Sequence, residues 1–149
     1  MKQYPQSVVQ NIRKHLQEDG LINNVSDCET KITLLGVIFQ KLSFDIAQKR
    51  GGTDWRDSFF VKKYLPRHKV DIKKIAGTIG RYITQYGSYS TQLLYEAFHE
   101  LPCDKKLTFD EINYLFYKGI YISYNVTSGN FNKEISTSVT GNNNNQIEE

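Results

Sequence analysis

Cysteine occurs only twice in this chain, at Cys28 and Cys103, far apart and outside any C-x-x-C spacing. Two such residues cannot frame a thiolate zinc site or a disulfide-dense secreted scaffold. They read as reduced thiols at core or boundary positions of a cytoplasmic protein. Long apolar runs are also missing. The longest, such as LLGVIF at 34–39, falls far short of the roughly 20 residues a membrane span needs. The opening MKQYPQSVVQ has no apolar h-region, so no signal peptide and no membrane partner are expected.

Histidine is scarce, and the three present, His15, His68 and His99, assemble no catalytic or metal-binding pattern. HELPC (99–103) sets a His and a Cys four apart, but Pro102 breaks the helix between them and no second ligand pair exists. DKKLTFDE (104–111) lacks the central glycine and early oxygen ligands of a calcium loop. GTIGR (77–81) has no Gly-Lys-Ser/Thr and no preceding strand, so it is no phosphate-cradling loop. Asp54 and Asp57 in DWRD read as a helix cap and a surface ion pair around Arg56. The chain is therefore expected to be non-enzymatic, with no cofactor and no metal.

Acids are absent where bases are dense. Between Asp57 and Glu96 there is one acid, Asp71, against seven basic residues: Lys62, Lys63, Arg67, Lys69, Lys73, Lys74 and Arg81. The net charge is only +3, and both flanks are near neutral or acidic, so the positive excess belongs to this middle stretch.

What remains is enough for one domain. Hydrophobic content is 39% and mean hydropathy −0.52, so the core is economical, with ten tyrosines and eight phenylalanines supplying much of it. Helical spacing dominates 1–119. A first helix near Ser7–Glu18 carries Val8, Val9, Ile12 and Leu16 and stops at Gly20. SDCE (26–29) is a capping box that launches a long helix to Lys49, with Ile32, Leu35, Ile38, Phe39, Leu42 and Ile46 on one broad face. KRGG ends it. A short helix with Trp55, Phe59 and Phe60 closes before Pro66, and another places Ile72, Ile75, Ala76, Ile79 and Ile83 on one side. After YGSYS (86–90) a fifth helix runs to Pro102, and TFDE (108–111) caps a sixth that is expected to end at Gly119.

The fold class expected is mainly α, a single bundle of about six helices over 1–119. A β-hairpin extension is expected over 120–139, from the alternation in IYISYNV (120–126) and KEISTSV (133–139), followed by a polar Asn-rich tail at 140–149. SGNFNKEI (128–135) and TGNNNNQI (140–147) repeat with a period of 12. They are either rungs of a small β-stack or a polar tail without structure.

Two function classes follow. In the first, Lys62, Lys63, Arg67, His68, Lys69, Lys73, Lys74 and Arg81 form an anion-binding surface that contacts the backbone of a nucleic acid or, alternatively, an acidic protein surface. Asp71 is the expected N-cap of the following helix, which puts Lys73 and Lys74 in a first turn where the helix dipole disfavours cations. DIKKIAGTIG (71–80) resembles the first helix and turn of the helix-turn-helix of many DNA-binding regulators. That resemblance implies a recognition helix at YSTQLLYEAF (89–98) and a C-terminal hairpin acting as a wing. In the second class the chain is a protein-interaction or assembly adaptor, using a tyrosine surface of Tyr82, Tyr86 and Tyr89 and homo-oligomerising through its hairpin.

Overall fold

The capping box at Ser26 forms as its sequence dictates. The Glu29 amide donates to Ser26 Oγ at 3.2 Å, and the Ser26 amide donates to Glu29 Oε1 at 2.8 Å. In this computed structural model, which describes residues 3–20, 22 and 24–128, that box opens the central helix. Among the described residues there are six α-helices, one 3-10 turn and no strand. They are α1 (Gln3–Glu18), α2 (Asp27–Lys49), the 3-10 turn Trp55–Asp57, α3 (Phe59–Tyr64), α4 (Ile72–Tyr86), α5 (Tyr89–Glu100) and α6 (Phe109–Thr127).

Helix α2 is the axis of the bundle and touches every other helix. Its burial is wider than one face: every residue from Ile32 to Phe39 is buried, Leu34 and Val37 included. A helix covered all round is what a core helix looks like once neighbours surround it. Buried polar groups tie the neighbours on. Asp45 of α2 accepts from the Ser88 amide at 2.9 Å and from Thr91 Oγ1 at 2.7 Å, which fixes the start of α5. Asn11 of α1 donates to the Val126 carbonyl of α6 at 3.2 Å. Trp55 is half-buried against the core.

The first strand of the expected hairpin does not exist. Residues 120–126 continue α6, which runs to Thr127. Its buried residues, Leu115, Phe116, Gly119, Ile122, Ser123 and Val126, recur at helical spacing, and the alternation in IYISYNV is incidental to it. Gly119 is no helix stop. Gly20 and Gly51, which follow α1 and α2, have positive φ, whereas Gly119 is helical and sits where α6 presses on α2. A Cβ on Gly119 would lie 2.0 Å from the Thr33 carbonyl oxygen, and one on Gly36 would lie 2.0 Å from that of Phe116. The second expected strand, 133–139, and the Asn-rich repeat lie outside the described residues.

The two cysteines are not free thiols. Cys28 and Cys103 form a disulfide, with their Cα atoms 4.2 Å apart. The segment after α5 crosses the first turns of α2 and is held there: Lys31 Nζ donates to the Leu101 carbonyl at 2.7 Å, and Lys105 pairs with Glu29 at 3.2 Å. That crossing brings together two residues 75 apart in sequence.

The other capping box, at Thr108 and Glu111, is also complete. Ser26→Ala and Thr108→Ala are each expected to lower stability by about 1 kcal/mol, through loss of a side-chain bond to an N3 amide. Urea midpoints check this, and unchanged midpoints would mean that neither cap contributes.

Candidate nucleic-acid interface

The basic stretch occupies three consecutive pieces of structure. Ser58 caps α3, its Oγ accepting from the Val61 amide at 3.3 Å, and the helix ends at Leu65 because Pro66 follows. Residues 65–71 form a connecting loop. Asp71 then caps α4 as its spacing predicts, accepting from the Lys74 amide at 3.2 Å.

The loop is pinned from below by α6. Asn113 accepts from the Val70 amide through Oδ1 at 3.0 Å and donates to the His68 carbonyl at 3.4 Å. The Tyr117 hydroxyl donates to the Pro66 carbonyl, and the Val70 side chain is buried. With the backbone tied inward at three points, Arg67, His68 and Lys69 stand exposed. Neither Asn113 nor Tyr117 announces this role in the sequence, because side chain-to-loop bonds 43 to 51 residues apart leave no local pattern.

Two groups of cations result. In the first, Lys69 and Lys74 line a pocket of about 110 Å³ with Tyr64, Pro66, Asp71 and Thr78, backed by the buried Phe39 and Ile75. Lys73 is exposed beside them in the first turn of α4, which contains no acid. In the second, Lys63 and Arg81 approach the hydroxyl pair Tyr64–Tyr82, whose oxygens are 2.9 Å apart. The hydrogen bond from Tyr82 holds the Tyr64 phenol below its ordinary pKa, and Arg81 and Lys63 pull it the same way. Tyr64 and Thr78 belong to both groups, since Arg81 donates to Thr78 Oγ1 at 3.4 Å, so the two are continuous along α4. Lys62 and Arg67 are exposed at the edges of this surface.

None of these cations has an ion-pair partner among the described residues. Among the described residues the ion pairs are Arg13–Asp27, Arg56–Asp54, Lys105–Glu29 and Lys118–Asp19. Asp54 and Arg56 thus form the cap and surface pair that DWRD suggests. The Asp71 carboxylate takes one of the free amides at the start of α4. Its cap contributes about 1 kcal/mol, comparable to the combined cost of the two first-turn lysines at roughly 0.3–1 kcal/mol each.

Tyr82, Tyr86 and Tyr89 do not make one exposed surface. Tyr82 and Tyr86 are half-buried, i and i+4 on the side of α4 that faces α3, where they stack edgewise on Phe59 at 5.9 and 6.1 Å between ring centroids. Tyr89 alone of the three is well exposed, at the start of α5. The helix-turn-helix likeness also fails locally. Helix α4 runs unbroken through Gly80, where Tyr95 of α5 lies close and donates to the Ala76 carbonyl at 3.0 Å. The intended recognition helix exposes Glu96 and Glu100 and has no Lys or Arg, and the first strand of the wing is helical.

The larger exposed aromatic face is on α6 instead: Phe109, Tyr114, Tyr117, Tyr121 and Tyr124. Its 3-4-3 tyrosine spacing is visible in the sequence but is hidden by reading 120–126 as a strand. Lys69 joins this face to the basic loop, with Nζ 3.8 Å from the Phe109 centroid. Tyr114 is anchored at the far side by Asp19, at 2.5 Å; burial and that carboxylate push its phenol up to about 12. Comparison with protein-family models, curated proteins and solved structures gives no match for this chain.

Proposed function

We propose that the chain is a non-enzymatic nucleic-acid-binding protein that holds phosphates on the surface built from α3, the 65–71 loop and α4. The observation that carries this reading is the set of exposed cations without an ion-pair partner among the described residues, carried on α3, on α4 and on the loop between them that α6 fixes in place. Surface lysines on a mobile loop are solvated at little cost; here the backbone beneath them is already ordered, so less entropy is lost when a phosphate binds. An acidic protein surface is the alternative partner of the same cations.

The triple variant Lys69→Gln, Lys73→Gln, Lys74→Gln tests this reading. It is expected to keep its helical circular dichroism, because all three side chains are exposed. Its binding to DNA should weaken and lose salt dependence, by roughly 0.9 in log–log slope per phosphate contact removed on a duplex. Unchanged affinity and slope would move the binding surface elsewhere or refute it.

A further inference from the structure

We infer that the nucleic acid bound here is single-stranded, with its backbone on the basic loop and its bases stacked along the outer face of α6. This rests on the proposed phosphate-binding surface and adds the partner's class. Every well-exposed large hydrophobic side chain among the described residues is aromatic. Five of them lie on α6, and the other two are Phe44 and Tyr89. A face of rings offers what every base can use, a π surface, and here Lys69 joins it directly to the cations that would hold the backbone.

The placement fits a strand entering from the cations. Phe109, under Lys69, Tyr117, next to Pro66, and Tyr124 follow one another at spacings of eight and seven residues, on the side of α6 nearest the loop. Tyr121 lies between the last two. The most exposed rings of the stripe are Tyr121 at 80% and Tyr124 at 70%, against 58% at Phe109 and 40% at Tyr117. The Tyr117 ring is tethered by its hydroxyl, while the two rings beyond it project into solvent, Tyr121 with Lys118 Nζ 5.8 Å from its centroid over one face. From Phe109 to Tyr124 the helix rises roughly 22 Å, enough for several nucleotides of an extended strand. A duplex would present phosphates to Lys69 and Lys74 equally well, but its bases are already stacked and would leave these rings unused.

The test measures fluorescence anisotropy with labelled oligo-dT, oligo-U, an abasic strand of the same length and a duplex. The oligonucleotides with bases are expected to bind more tightly than the abasic strand and the duplex. Tyr121→Ala and Tyr124→Ala should each weaken oligo-dT binding by roughly five- to 150-fold, with the salt slope unchanged. Tyr121→Phe and Tyr124→Phe should bind as the wild type does. A preference between oligo-dT and oligo-U identifies which kind of strand is the partner, and either result supports the inference. Equal binding of the abasic strand, or alanine variants that bind normally, would overturn the stacking while leaving the phosphate surface standing. Failure of wild-type protein to bind any of the four would remove the phosphate surface itself. A concentration-dependent mass that Tyr121→Ala abolishes, without an effect on oligonucleotides, would make the stripe a self-association face and overturn the inference.

Discussion

Gly36→Ala is expected to destabilise the protein by roughly 3 kcal/mol or more, at the upper end of what over-packing a core does. On helix propensity alone the change should help, since Ala is favoured over Gly by about 1 kcal/mol in a helix interior. The contact decides the sign. The added Cβ would stand 2.0 Å from the Phe116 carbonyl oxygen and 3.0 Å from the Ile120 amide nitrogen. These are backbone atoms of α6, so no rotamer change relieves the clash, and α6 must move away from α2 along their whole contact. Gly119→Ala meets the Thr33 carbonyl oxygen at the same distance and is expected to behave alike. The double variant should cost less than the two singles added together, because either methyl already separates the same crossing. Urea denaturation with a helical circular-dichroism readout checks all three. Wild-type midpoints for the single variants would show that the two helices do not cross at these glycines.

Loss of the Cys28–Cys103 cross-link is expected to cost about 4 kcal/mol. The bond closes a loop of 75 residues, and the chain-entropy relation for that length gives a figure of this size. Reduction, or the Cys28→Ser, Cys103→Ser double variant, should shift the urea midpoint down accordingly. Free-thiol titration of the unfolded, unreduced protein should find no reactive cysteine. Two titratable thiols, and a midpoint indifferent to reductant, would restore the reduced pair expected from the sequence. The outcome bears on compartment as well, since a persistent disulfide is rare in a mesophile's cytosol.

Much of the bundle is legible in the sequence because its helix starts are local events. Ser26, Asp71 and Thr108 each accept from an amide three residues on, and a short-range rule finds such pairs. Stops are less secure. Gly20 and Gly51 end helices through a positive φ, but Gly119 has the same identity and serves a close crossing, a difference that only the partner helix creates. The strand expected over 120–126 fails for that reason: β-branched residues on α6 are tolerated where Ile122 and Val126 gain burial against the bundle. The basic surface was visible as charge density, yet its rigidity was not. Asn113 and Tyr117 reach the loop from the far end of the chain, as Cys103 reaches Cys28, and such pairings are set by the assembled fold.

The most direct test of nucleic-acid binding by this surface is the salt dependence of wild-type affinity for one labelled strand and one duplex. If Arg67, Lys69, Lys73 and Lys74 each neutralise a phosphate, the log–log slope should be roughly −3 to −4 on duplex DNA and slightly shallower on the single strand. No binding of either at about 50 mM salt, or binding whose slope is near zero, would contradict the account.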